Sequence, residues 1–136
     1  MDYSLAALKL LCMQLKSARH IPSSSPSNFI LGDILFQRAW VQGIVVSIPT
    51  PSSENGRFLL DDGTGIIEIL LTGEFLNRHW ETGMYLMVVG GYSMRPDDLP
   101  FIKAHKMVDL SAFPDRESMW YLEVIEAFKL FYHQTL

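Results

Sequence analysis

Few residues of this chain have the types and spacing that catalysis needs. The adjacent carboxylates of Asp61 and Asp62 could hold a metal ion or act as an acid–base pair. They lead, however, into Gly63-Thr64-Gly65, and Asp and Gly are residues that tight turns use. A phosphate-binding loop needs a Lys-Ser/Thr pair after its glycines, and none follows here. We therefore interpret residues 61–65 as a hairpin turn.

The histidines and the cysteine do not form a ligand set either. No two histidines stand at metal-ligand spacing, and no HExxH motif occurs. The single Cys12 excludes an internal disulfide and a cysteine-based zinc site. The sequence therefore predicts no catalytic residue, no metal site and no cofactor, and we do not expect an enzyme. The four histidines are His20, His79, His105 and His133.

Composition indicates one domain with apolar residues to spare. The chain has 136 residues, of which 49% are hydrophobic and 12% aromatic. A small barrel is not expected to bury all of them, and surplus apolar side chains are typical of interfaces. The net charge of −4, with 11 Lys and Arg, argues against a free-standing nucleic-acid binder. No signal peptide or run of transmembrane length is found, which favours a soluble intracellular protein without membrane contact.

The core is predicted to be a curled sheet that begins with residues 39–48. This run is rich in β-branched residues, and Gly43 inside it indicates a bend or bulge. A short helix is predicted at residues 73–80. Three strands, a short helix and two strands follow the order of the five-stranded Greek-key barrel called the oligonucleotide/oligosaccharide-binding (OB) fold. The four further strands are predicted at residues 57–60, 66–71, 84–89 and 101–110.

Helices are expected to flank this all-β core. Residues 1–20 are predicted to hold an N-terminal helix, because leucines recur there at helical spacing. Residues 21–28 form a linker dominated by Pro and Ser. The OB barrel is assigned to residues 29–112, and a C-terminal interface helix to residues 113–133.

The C-terminal helix carries an unusually wide apolar arc. At about 100° per residue, its aromatic and aliphatic side chains cover roughly 160° of the helix, more than an ordinary surface helix shows. One edge of the arc is expected to pack on the barrel and another on a partner protein, although a helix that only plugs the barrel would also fit. The partner-binding candidates are Trp120, Tyr121, Val124, Phe128, Phe131 and Tyr132.

Several runs also match a known family. Lys106-Met-Val-Asp-Leu-Ser111, followed by Glu117-Ser-Met-Trp-Tyr-Leu-Glu-Val124, resembles the end of the second, small subunit of the RecQ-mediated genome instability complex. Trp40-Val-Gln-Gly-Ile-Val-Val46 resembles its first strand, and Leu8-Lys-Leu-Leu-Cys-Met-Gln-Leu15 the helix before it. The Lys106 and Glu117 runs are the specific matches.

The resemblance implies a nuclear, non-enzymatic OB subunit. Members of this family bind the C-terminal OB domain of the larger RecQ-mediated instability subunit, helix against helix. That pair joins a RecQ helicase to topoisomerase III alpha, in an assembly that dissolves double Holliday junctions and suppresses crossovers. Lys9 and Lys106 match lysines of the family motifs and are candidates for pairing with partner acids, unless they are ordinary surface lysines. Trp40 is a candidate contact or, equally, a core residue.

The alternative is a single-stranded-DNA-binding OB subunit of a complex like replication protein A. Residues 49–65 look like the middle subunit of that trimer. Such binding needs aromatic platforms and a basic groove. The loop at residues 48–57 has no aromatic residue, and Asp97 and Asp98 offset the charge of the late loop. We therefore expect weak or no direct DNA binding. The late-loop residues that could contribute are Tyr92, Arg95 and Phe101.

Overall fold

The computed structural model describes residues 7–21, 28–32, 34–48, 56–95 and 99–132. Its regular elements are numbered in chain order. The strands are β1 (Ala7–Lys9), β2 (Arg19–Ile21), β3 (Asn28–Leu31), β4 (Ile34–Phe36), β5 (Arg38–Ser47), β6 (Arg57–Asp61), β7 (Ile66–Leu70), β8 (Tyr85–Met94) and β9 (Pro100–Asp109). The helices are α1 (Cys12–Ser17), a 3-10 helix (Gly73–Asn77), α2 (Pro114–Ala127) and a π-helical turn (Phe128–Tyr132).

Strands β5 to β9 close into a five-stranded barrel. They lie in the order β5-β6-β7-β9-β8, and a further pairing of β5 with β8 closes the ring. All neighbours are antiparallel except β7 and β9, which run parallel. The 3-10 helix lies in the chain between β7 and β8. The predicted OB architecture is confirmed.

Strand β5 serves two halves of this barrel. Residues 38–44 pair with β8, and Ile44 pairs with both Tyr85 of β8 and Asp61 of β6. The predicted bend therefore lies at Gly43 and Ile44. A register irregularity follows between Val45 and Ser47.

The backbone approaches so closely at this corner that only glycine fits. A Cβ atom added to Gly43 would lie 2.6 Å from the carbonyl oxygen of Asp61. Gly91, in β8, lacks this constraint, because its added Cβ would make an ordinary contact of 3.7 Å with His105.

We expect Gly43→Ala to lower the free energy of unfolding by about 1–3 kcal/mol, because two paired strands must separate to admit the methyl group. Gly91→Ala is the matched control and should change stability by less than about 0.5 kcal/mol. Urea unfolding followed by circular dichroism measures both. Equal midpoints for the two variants would contradict the assignment of Gly43 as the corner residue.

The start of the chain differs from the predicted N-terminal helix. Residues 7–9 form β1, which pairs in parallel with residues 38–40 at the start of β5. Leu8 and Leu10 are buried, so the chain alternates with a period of two before α1 begins at Cys12. The prediction was therefore wrong for residues 7–11 and right for a single short helix. Residues 1–6 lie outside the described part of the chain.

The Pro/Ser-rich linker is bounded by paired strands. Ile21 lies opposite Asn28, so β2 and β3 form an antiparallel pair, and β4 completes a second, three-stranded sheet. Its buried Phe29 lies edge-on to Tyr92 of β8, with ring centroids 4.6 Å apart. The Tyr92 hydroxyl donates to the Leu15 carbonyl oxygen at 3.0 Å and so ties α1 to β8. Residues 22–27 lie outside the described part.

The barrel interior is built by alternation. Phe58 and Leu60 of β6 point inward opposite Ile69 and Ile67 of β7, and all four are buried. The hairpin between these strands turns through residues 61–65, as predicted, and Gly63 adopts a left-handed φ of 88°. Among the described residues, no helix has the length and apolar character needed to cross a membrane.

Candidate protein–protein interface

The inner edge of α2 is anchored on the barrel by Trp120. Trp120 is 2% exposed and packs with the buried Leu11 and Val124 and the half-buried Trp40. The rings of Trp40 and Trp120 lie nearly parallel, at 24°, with centroids 6.4 Å apart. Such offset stacking is a favourable arrangement of two aromatic rings. The pair joins α2 directly to β5.

Lys9 clamps the same junction from its side. Its Nζ atom lies 4.7 Å from the centre of the Trp40 ring and 3.1 Å from Oε1 of Glu123 on α2. The ion pair is partly exposed and contributes little by itself. Together with the cation–π contact it fixes the rotation of α2 about its own axis.

A hydrogen-bonded turn supports the start of α2. The Tyr121 hydroxyl donates to the backbone carbonyl of Asp62. The Asp62 carboxylate accepts from the backbone N–H of Cys12 at 2.7 Å and of Thr64 at 2.8 Å. Burial, followed by the charges of Asp62 and Asp61, raises the pKa of Tyr121. The two aspartates thus act as turn and capping groups, which confirms the interpretation of residues 61–65.

A buried glutamine lies beneath this junction. Gln42 is fully buried on β5 and donates to the Tyr85 hydroxyl at 3.1 Å. Its Oε1 accepts from Trp40 Nε1 at 3.2 Å and from Arg116 at 3.4 Å. Burial raises the pKa of Tyr85 to about 12. Gln42 and Trp120 line a cavity of about 220 Å³ between the barrel and α2. Because the amide is satisfied and the phenol stays protonated, this cluster is structural rather than reactive.

The opposite side of α2 is apolar and exposed. Met119, Leu122 and Ile125 follow each other at intervals of three residues and are 49%, 57% and 46% exposed. Tyr121 is exposed and Phe128 half-buried at the edge of this stripe. We call these five residues the outer face of α2. A row of large apolar side chains in water is typical of a surface that a partner covers.

The sequence matches one protein family over nearly its whole length. The family model of RecQ-mediated genome instability protein 2 matches residues 6–128. The chain belongs to this family. The Gallus gallus protein named RecQ-mediated genome instability protein 2 is 32% identical over 95 residues, which cover 68% of this chain and 67% of the relative.

Solved structures confirm the fold that this member of the family adopts. A chain of the S. pombe Stn1–Ten1 complex superposes with a TM-score of 0.73 at 11% identity, covering 88% of this chain and 89% of that one. A chain of a replication protein A heterotrimer bound to single-stranded DNA gives 0.72 at 18% identity, covering 91% and 96%. At these identities the likeness establishes the OB fold alone. Membership of the RecQ-mediated instability family, together with this fold, identifies an OB-fold subunit that serves genome stability.

Two predicted partner contacts of this family member need correction. Trp120 and Val124 are buried against the barrel, so a partner cannot reach them while α2 stays docked. Trp40 lies in the same junction and stacks on Trp120. Tyr121 and Phe128 remain at the edge of the outer face. The side chains of Phe131 and Tyr132 lie outside the described part of the chain.

The lysines that match the family motifs have different surroundings. Lys9 pairs with Glu123 of its own chain, so the structure gives it an internal role. Lys106 is exposed on β9 and remains a candidate for partner contact. Sequence reasoning missed Met119 and Leu122, because the predicted arc was centred on the aromatic residues. Their spacing of three residues, continued by Ile125, was the available signal.

The loop residues considered for DNA binding are largely engaged elsewhere. Tyr92 is buried. Arg95 and Arg57 both pair with the carboxylate of Glu68. Phe101 alone of the three late-loop candidates remains, half-buried, at the surface. Residues 49–55 and 96–98, in the two loops, lie outside the described part.

Proposed function

We propose that the chain is a non-catalytic OB subunit that heterodimerises through the outer face of α2. Its partner is the C-terminal OB domain of the larger RecQ-mediated instability subunit. Through it the chain stabilises a nuclear complex of a RecQ helicase with topoisomerase III alpha, which dissolves double Holliday junctions and suppresses crossovers. Family membership supports the pathway.

The observation that carries the proposal is the division of α2 into two apolar edges. Trp120 and Val124 already anchor the helix on its own barrel. Met119, Leu122 and Ile125 are therefore not needed for that anchoring, yet they remain apolar and exposed. A helix that only plugged the barrel would expose polar residues here. An apolar helix face of a partner would remove this row from water.

The non-catalytic role is supported by the use that the chain makes of its carboxylates. Asp61 accepts from the Gly63 backbone N–H at 2.8 Å, and Asp62 binds Cys12 and Thr64. Burial raises the pKa of the Cys12 thiol, which disfavours the nucleophilic thiolate. The groups that could do chemistry thus hold the hairpin turn and α1 together.

Oxidation of two methionines tests whether the outer face is covered. Met119 lies on it, whereas Met13, which is 55% exposed, lies on α1. In a complex with the partner OB domain, we expect dilute hydrogen peroxide to oxidise Met119 at least roughly fivefold more slowly than in the free chain, because oxidation follows exposure. Met13 should react at an unchanged rate. Mass spectrometry of tryptic peptides gives both rates, and unprotected Met119 in a stable complex would place the interface elsewhere.

A further inference from the structure

A second surface of the barrel gathers positive charge. A groove of about 420 Å³ lies where the start of β5, the end of β8 and the start of β9 run side by side. Arg38, Lys103 and His105 line it, together with Phe101 and Gly91. No described residue that lines the groove is acidic. The cations therefore concentrate on one patch of a chain whose net charge is −4.

Gly91 forms the open floor of this groove. In the sheet register it lies directly between Arg38 of β5 and Lys103 of β9. With neighbouring strands about 4.8 Å apart, the Cα atoms of these two cationic residues stand about 10 Å apart. A side chain at residue 91 would rise between them. Glycine leaves a trough with a positive charge on each bank.

Strand alternation brings an aromatic ring and a histidine to the same side. Phe101, Lys103 and His105 are separated by two residues each, so they share one face of β9. Burial, then Arg38 and Lys103, lower the pKa of His105. The two cations are therefore close enough for their field to reach the imidazole.

The groove differs from the other arginine cluster on the barrel. Arg57 and Arg95 converge on one carboxylate, that of Glu68, which offsets their charge. Arg38 and Lys103 instead face each other across a glycine. Like charges held near one another attract an anion that can bridge them.

We propose that this groove binds the phosphate backbone of single-stranded nucleic acid. Arg38 and Lys103 contact phosphates along the trough, and Phe101 offers its ring to a neighbouring base. The aromatic ring beside the cations favours nucleic acid over an acidic polypeptide, because bases stack on aromatic side chains. The contact is weak alone and adds to whatever DNA affinity the assembled complex has.

The test uses the full chain and fluorescein-labelled (dT)20 at low salt, followed by anisotropy. Lys103→Glu and Arg38→Glu should each weaken binding at least tenfold. Lys129→Glu makes the same charge change on exposed α2 and should weaken it less than twofold. Loss of each phosphate contact should reduce the slope of log K against log salt by about 0.7. Phe101→Ala should weaken binding roughly fivefold or more with the salt slope unchanged.

Three outcomes would overturn the proposal. One is equal weakening by Lys129→Glu and Lys103→Glu, which would show only nonspecific attraction. Another is competition by polyglutamate as strong as that by unlabelled (dT)20, which would assign the groove to acidic protein. The third comes from proton NMR of the His105 ring. Bound phosphate must raise the pKa of His105 by offsetting the two cations, so an unchanged pKa at saturating (dT)20 places the strand elsewhere.

Discussion

Trp120→Ala is expected to lower the free energy of unfolding of the chain by about 3–5 kcal/mol, the usual cost of truncating a large buried aromatic residue. The indole is 2% exposed and joins α2 to Trp40 and Leu11. Its removal leaves a void between helix and barrel that rigid strands cannot fill. Its Nε1 has no acceptor among the described residues, so the loss is one of packing. Urea unfolding followed by far-ultraviolet circular dichroism measures the change.

Two variants keep this test decisive. Met119→Ala truncates the preceding residue, which is 49% exposed, and should cost less than about 1 kcal/mol. Trp120→Phe keeps part of the stacking on Trp40 and should fall between the two, which leaves a folded variant to measure if Trp120→Ala does not fold. Equal unfolding midpoints for Trp120→Ala and Met119→Ala would show that α2 is not anchored through Trp120.

The barrel could be predicted because its signals are local. The run around Gly43 is β-branched, and the Asp-Gly turn at residues 61–65 lies between two apolar runs. Turn chemistry and a period of two act over a few residues and survive in almost any context. The extension of β8 beyond Val89 was missed. Gly90 and Gly91 indicated a strand end, but the pairing continues through a register shift at Gly90.

The first residues could not be predicted by the same means. Leu8, Leu11 and Leu15 fit a helix, whereas Leu8 and Leu10 fit a strand. The choice depends on the free edge of β5, which pairs with residues 7–9. That edge is created only when the barrel closes, so tertiary pairing overrides the helical spacing.

The rotation of α2 was likewise beyond the sequence. A wide apolar arc predicts two packing surfaces but does not say which residues face inward. The rotation is set by the contact of Trp120 with Trp40 and by the pairing of Lys9 with Glu123. Each contact joins residues far apart in the chain. The partner surface therefore moved from Trp120 and Val124 to the outer face of α2.

Leu122→Glu is expected to weaken binding to the C-terminal OB domain of the larger instability subunit by at least about 2 kcal/mol, or roughly thirtyfold. Leu122 is 57% exposed and lies at the middle of the outer face, between Met119 and Ile125. A carboxylate there would be buried without a cation when a partner helix covers it. The free chain should keep its stability, since the new charge stays in water until the partner binds.

Leu76→Glu is the matched control for this change. Leu76 is 50% exposed on the 3-10 helix, at a distance in sequence from α2, and receives the same substitution. It should leave the affinity within about twofold of the unchanged chain. Circular dichroism of both variants should show unchanged folding.

Isothermal titration of the partner OB domain into the unchanged chain, the Leu122→Glu variant and the Leu76→Glu variant tests the heterodimer most directly. An outer face that forms the interface predicts a one-to-one complex, lost or weakened roughly thirtyfold or more by Leu122→Glu only. Equal affinity of all three chains for the partner would contradict it and would show that α2 does not carry the interface.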